Sequence, residues 1–246
     1  YAEVSFQFEP VAAVYEFERQ IDREHLALIA DIGGGTSDFT VVRLGPARAR
    51  AADRSADILA NAGLRLGGTD YGRPLRMAAL TPPRALGSRM KRGDTEVPAG
   101  PYWDLSTWHT VHDLYEPRAT EMLRTTRYTA AEPQLIERLM TVIEQKRGHS
   151  VLVAVEAAKI GLSDAPDHAA DLGWIEPGLV ATTTRALFET ASERMNDRLR
   201  QAAAAVVAEA GLTPEAITAL FFTGGTSQIP SVREALAAGF PAATLV

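Results

Sequence analysis

The chain has 246 residues, 46% of them hydrophobic and 23% charged, so it can bury a core and is not built as a disordered chain. Its net charge is −6, from 25 basic and 31 acidic residues, which argues against a nucleic-acid-binding surface. With no cysteine it cannot use disulfides, thiol nucleophiles or thiolate metal sites, and with no long apolar run it is expected to be cytoplasmic, with no membrane partner.

The first residues, Tyr1-Ala2-Glu3-Val4-Ser5, show neither an initiator Met nor a leader pattern, so the chain reads as starting in mid-protein. Pro10 suits the first turn of a helix, and Val11, Val14, Tyr15 and Phe17 follow at helical spacing. Two β-type runs, Leu26 to Ile32 and Phe39 to Leu44, flank Gly33-Gly34-Gly35-Thr36 and predict a hairpin with a glycine turn. A third β-type piece is expected before Gly67-Gly68, then helix over 70–80. Prolines 82, 83, 98, 101 and 117 mark residues 81–120 as a loop or an inserted subdomain. Helical pattern resumes at Pro133–Gln145 and continues through Val151–Leu162.

A long amphipathic helix is expected over 184–210, with Leu187, Ala191, Met195, Leu199, Ala203 and Val206 on its apolar face and Gly211 ending it. Thr213-Pro214-Glu215 reads as the capped start of a short helix. Ala219 to Thr223 reads as a buried strand, followed by Gly224-Gly225 and a helix opened by Pro230.

Two glycine segments carry the chemistry. Successive N–H groups in a turn such as Asp31 to Asp38 form an anion-binding nest, and Asp31 and Asp38 could orient a hydrated Mg²⁺. A plain glycine-rich hairpin is the competing reading. The second segment, Thr223-Gly224-Gly225-Thr226-Ser227-Gln228, follows a strand and precedes a helix, where α/β proteins commonly bind ligands, although two glycines are a weak signal. His109 and His112 have i, i+3 spacing but lack a third metal ligand and read as ordinary histidines. Tyr102, Trp103, Trp108 and Tyr115 read as a small local core, with a partner patch as the alternative. The arginines 118, 124, 127 and 138, interleaved with glutamates 116, 121, 132 and 137, read as a solvated mixed-charge face.

Five stretches taken together resemble the DnaK-type heat-shock chaperones of the actin-like ATPase superfamily. They are Phe8-Glu9-Pro10-Val11-Ala12-Ala13, Asp31 to Asp38, Gly67-Gly68-Thr69-Asp70, Glu156 to Ser163, and Thr184 to Glu189 with Gly224-Gly225 to Pro230. The resemblance implies an α/β fold: an actin-like (ribonuclease H-like) lobe with an inserted, mostly helical subdomain. Residues 1–24 would be the tail of lobe I, 25–66 and 181–246 a split subdomain IIA, and 67–180 an inserted subdomain IIB with an extra insertion at about 81–130.

The resemblance also implies an ATP-binding lobe that couples nucleotide binding and hydrolysis to lobe closure. Gly33, Gly34, Gly35 and Thr36 would hold the β- and γ-phosphates. Asp31 and Glu9 would organise Mg²⁺ through water, with Asp38 in support. Glu156, Lys159, Ser163, Gly224, Gly225 and Gln228 would face the nucleoside. Partners would be nucleotide and, through the intact protein, unfolded clients and co-chaperones. The family's two adenine-sandwiching arginines correspond here to Ile160 and Gln228, and the long insertion is most similar to divergent YegD-like relatives. Since the matches cover mainly lobe II, this piece alone is expected to hydrolyse ATP poorly. The rival readings are a sugar-type kinase or phosphohydrolase of the same superfamily, and a catalytically weak nucleotide-binding scaffold.

Overall fold

A computed structural model describes residues 14, 16–51, 53–76, 87–92, 95–107 and 110–246. The chain divides into two compact units, residues 1–70 with 193–246 and residues 71–192.

The first unit is built on a mixed five-stranded sheet. β1 (His25–Ile32) and β2 (Ser37–Leu44) form the hairpin expected around the glycine turn, paired from His25 with Leu44 to Ile32 with Ser37. β3 (Ile58–Leu64) adds antiparallel to β2, with a register shift between Val41 and Val42. On the other side of β1 lies β6 (Ala219–Thr223), in parallel, followed by the short β7 (Thr244–Leu245). The order is therefore β3-β2-β1-β6-β7, with β1 from the early part of the chain and β6 from the late part side by side.

Both faces of β1 and β2 are buried, which explains why their sequences run apolar without strict alternation. On one face Ala27, Ile29, Val42, Leu44, Ala219 and Phe221 close over Val14, with Phe17 and Ile21 alongside. Phe17 meets Phe221 edge-on at 5.0 Å. Leu28, Ala30, Ile32, Phe39 and Val41 are buried on the opposite face.

A charged knot is buried in this unit. Arg54 binds Glu18 through two parallel bonds of 2.9 Å, and Glu18 also accepts the Gly45 amide at 2.9 Å. Arg54 reaches Asp57 as well, and Arg48 adds a second cation to that carboxylate. Burial works against the Arg54 charge, but the bonds to Glu18 and Asp57 outweigh it and hold the guanidinium above its ordinary pKa.

The second unit is mostly helical. It holds α2 (Gly100–Leu105), α3 (Pro117–Thr129), α4 (Pro133–Glu144), α5 (Gly148–Asp164) and a hairpin of β4 (Asp167–Asp171) and β5 (Val180–Thr184). That hairpin has no counterpart in the sequence reading. The continuous helical pattern over 133–162 is broken into two helices at Lys146, whose φ is +52°. Gly148 starts α5 where any Cβ would lie 2.3 Å from Val111 Cγ2 and 2.9 Å from the Tyr115 hydroxyl.

Two helices contribute residues to both units. α1 (Gly68–Leu75) begins in the first and ends in the second, and α6 (Arg185–Glu209) does the reverse. The buried side of α6 differs from the expected stripe in its first half. Phe188, Ser192 and Asn196 are buried there, whereas Leu187 is 41% exposed. From Leu199 through Ala203 and Val206 the expected face holds. Beyond Gly211, which adopts φ +72°, Pro214–Ala216 makes a single 3-10 turn and Thr213 supplies no side-chain cap. α7 (Pro230–Gly239) completes the helices.

Arg54→Ala is expected to leave Glu18 and Asp57 buried without their shared cation. The loss should be roughly 3–5 kcal/mol of unfolding free energy, read as a lower urea midpoint.

Candidate functional site

The candidate site lies at the ends of β1 and β6, where three glycine segments of the first unit meet. Asp31 stands opposite Asp38 across the hairpin, Asp38 opposite Gly63 of β3, and Asp31 beside Thr223 of β6. The Thr223, Asp31 and Asp38 side chains thus share the sheet face that carries Ala27, Ile29 and Phe221 lower down. The absence of a side chain at Gly63 makes room for Asp38, because a Cβ there would lie 2.8 Å from its Oδ1.

The turn between the two aspartates is closed by the Gly33 amide, which donates to the Thr36 carbonyl at 2.9 Å. Gly34, Gly35 and Thr36 are exposed, and among the described residues their N–H groups have no protein acceptor. The carbonyls of the turn are held instead. Gly33 O accepts the Gly68 amide at 3.0 Å and the Thr226 hydroxyl at 2.8 Å. Gly34 O accepts both the amide and the hydroxyl of Thr69, at 2.8 and 2.9 Å. The Asp70 carboxylate accepts the Gly67 amide at 2.9 Å and closes the bend that starts α1.

These approaches require glycine at two positions. A Cβ on Gly67 would fall 2.5 Å from the Gly35 nitrogen and 2.8 Å from the Gly33 oxygen. A Cβ on Gly224 would fall 2.3 Å from the Ile32 oxygen and 2.8 Å from Asp31 Oδ1, and its φ of +79° is itself unfavourable for other residues. Beyond it, the 3-10 turn Gly225–Gln228 buries Thr226 and Ser227, with the Ser227 hydroxyl donating to Gly224 O at 2.6 Å. Gly225 and Gln228 are exposed.

Of the residues singled out from sequence, Asp31, Gly33, Gly34, Gly35, Thr36, Asp38, Gly224, Gly225 and Gln228 therefore lie in one unit, with Asp31 and Gly224 in direct juxtaposition. Glu9 lies outside the described residues, as do Trp108 and His109. Glu156, Lys159 and Ser163 belong to the second unit and follow one another along one face of α5. The Lys159 ammonium pairs with the Glu156 carboxylate at 2.8 Å, and the Ser163 hydroxyl lies 3.4 Å from the Lys159 carbonyl. Ile160, in the next position, is 59% exposed.

The end of α5 is held from outside the helix. Arg185 donates to the carbonyls of Leu162 and Ser163 at 2.8 and 3.1 Å, filling acceptors that a helix terminus leaves open. Gly161 lies against His168 of β4, with its Cβ position 2.6 Å from Nδ1.

Thr69, Thr226 and Arg185 were not singled out as site residues. All three sat inside matched motifs, so position was their only available signal. The aromatic residues divide: Tyr102 is fully buried, which pushes its phenol pKa up, while Trp103 is 44% exposed beneath the Arg73 guanidinium at 4.8 Å. His112 is near His149, ring centroids 5.4 Å apart, and among the described residues no three acidic or histidine side chains cluster as a metal site. Two carboxylates beside open amides suit an ion that keeps its waters better than a bare one. The basic residues of the helical unit are partly neutralised, Arg127 by Glu137 and Arg138 by Glu176.

This is an α/β lobe with the mixed sheet of the actin-like ATPases. Residues 126–243, just under half of the chain, match the family model described as Hsp70 protein, and over that stretch the chain is similar to this family. The matched stretch includes α5, the β4–β5 hairpin, α6, β6 and the Gly224-Gly225 loop, and the match supports a nucleotide-binding chaperone-type domain.

Gly224→Ala is expected to cost about 1–3 kcal/mol from the left-handed backbone alone, with the clash at Ile32 adding to it. Gly34→Ala, whose Cβ would meet nothing within 4 Å, should change stability by less than about 1 kcal/mol. Thermal denaturation of the two variants checks the contrast.

Proposed function

We propose that this chain is the ATP-binding lobe of a DnaK-like chaperone. The observation that carries the reading is the turn Gly33–Thr36, whose Gly33 and Gly34 carbonyls are tied back while its outward amides have no protein acceptor among the described residues. Such a turn binds the oxygens of a polyphosphate, and the family match supplies the class of ligand.

In this reading Gly34, Gly35 and Thr36 hold the β- and γ-phosphates. Asp31 and Asp38 accept hydrogen bonds from waters, orienting those of a hydrated cation and the one that attacks the terminal phosphate. Mg²⁺, when bound, supplies positive charge that offsets the charge developing on the transferred phosphoryl group. Glu9 belongs to the same water-holding set. Gly224 and Gly225 lie under the nucleoside, with Gln228 at its edge, and Glu156, Lys159 and Ser163 face the ribose and base. The first unit then corresponds to subdomain IIA with a tail of lobe I, and the second to subdomain IIB. Hydrolysis drives lobe closure in the intact protein, where unfolded clients and co-chaperones bind.

Exposed Ile160 and Gln228 offer the base no cation, so the phosphate chain supplies most of the affinity. ATP and GTP are expected to bind within about tenfold of each other, a difference of about 1.4 kcal/mol.

Calorimetry of Mg·ATP binding to the full-length protein, with Asp31→Asn assayed alongside for hydrolysis, tests the reading. Wild type should bind with micromolar affinity, and the variant should bind within about tenfold of it while losing turnover. Absence of binding at millimolar ATP overturns the nucleotide reading and leaves a scaffold.

A further inference from the structure

We propose that Thr226 and Thr69 are positioning residues of the glycine turn. By holding the Gly33 and Gly34 carbonyls, they aim the Gly34 and Gly35 amides at a bound polyphosphate. The proposal rests on the nucleotide reading for its ligand but not for its geometry.

A peptide unit is planar and trans, so its C=O and N–H point in opposite directions. The Gly33 carbonyl shares its plane with the Gly34 amide, and the Gly34 carbonyl with the Gly35 amide. Whatever fixes the direction of one fixes the other. Gly33 O is held by the Thr226 hydroxyl at 2.8 Å and the Gly68 amide at 3.0 Å. Gly34 O is held by the Thr69 hydroxyl at 2.9 Å and the Thr69 amide at 2.8 Å. Both amides must then point away from these partners, towards the side where the described residues offer no acceptor.

Side-chain packing cannot do this job. Cβ positions on Gly34 and Gly35 would meet nothing within 4 Å, so no side-chain packing at these positions sets the peptide directions, although the Gly67 backbone lies close on another side of the turn. Glycine also rotates freely through conformations closed to other residues, so an untied turn could flip its peptides and present carbonyls to an anion. The hydroxyl bonds, together with the Gly68 and Thr69 amides on the same carbonyls, remove that alternative before the ligand arrives, and a site pre-organised in this way loses less affinity to ordering. The two threonines occupy different surroundings: Thr226 is 4% exposed and comes from the loop after β6, whereas Thr69 is exposed on the first turn of α1.

The test compares Thr226→Val and Thr69→Val, which keep shape and lose the donor, with Thr226→Ser and Thr69→Ser, which keep the donor. Two readouts are taken on the whole chain: the amide resonances of Gly34 and Gly35 without ligand, and calorimetric affinity for inorganic tripolyphosphate and for ATP. Each valine variant should shift the two glycine amides and weaken both ligands about five- to tenfold. The serine variants should restore both readouts. Because Thr69 is exposed, Thr69→Val is a folded probe even if the buried substitution perturbs the loop.

Unmoved amides together with wild-type affinity in the valine variants overturn the proposal. So does failure of the serine variants to restore either readout, which would assign the effect to packing of the methyl group. If wild type itself binds neither ligand, the nucleotide reading falls. The amide resonances then decide the positioning on their own.

Discussion

Backbone meeting backbone is the constraint on which the candidate site depends. Gly67 lies so close to the Gly33–Gly35 turn, and Gly224 so close to Ile32 and Asp31, that one methyl group at either position would overlap main-chain atoms. Only because these positions lack side chains can the start of α1 and the loop after β6 reach the carbonyls of the turn. The hydrogen bonds from Gly68, Thr69 and Thr226 follow from that approach, and the outward amides follow from the hydrogen bonds. The chemistry is therefore assembled from main-chain atoms, and the side chains near it set direction and charge.

The sheet makes this meeting possible. Placing β6 beside β1 brings Thr223 level with Asp31, so the loop that leaves β6 starts at the height of the glycine turn. Asp31 and Asp38 gain their shared face from the antiparallel register of the hairpin, since a one-residue slip would send one of them to the other side. The buried ion pairs of Glu18, Arg54 and Asp57 tie the segment after Val14 to the chain beyond β2. Such a knot adds little net stability over an apolar core, but it permits few alternative arrangements.

The helical unit shows a related economy. α5 carries Glu156, Lys159 and Ser163 at spacings of three and four, so helical periodicity alone puts them on one side. What keeps the last turn in place comes from later in the chain: Arg185 on two of its terminal carbonyls and the β4 histidine against Gly161. The conspicuous motif residues and the residues that hold them in position are therefore different residues.

Much of this was legible in the sequence, for reasons of short range. Apolar runs around a glycine turn define the β1–β2 hairpin, and a helical period with Gly211 behind it defines α6. The motifs at Asp31–Asp38 and Glu156–Ser163 were readable because their residues are neighbours along the chain. Tertiary structure decided the rest. The Thr226 bond to Gly33 joins residues 193 positions apart, and the Thr69 bond to Gly34 spans 35, so no local pattern encodes either. The buried side of α6 moved from Leu187 to Phe188 because burial depends on what surrounds a helix as well as on its own period. The β4–β5 hairpin went unseen because Asp167–Asp171 and Val180–Thr184 are short and polar, and pairing across an intervening loop stabilises them. Local sequence determined which segments would be strand, helix and glycine turn. Contacts between distant segments decided which way the turn's amides point, because a glycine peptide has no preferred direction until something else in the fold holds its carbonyl.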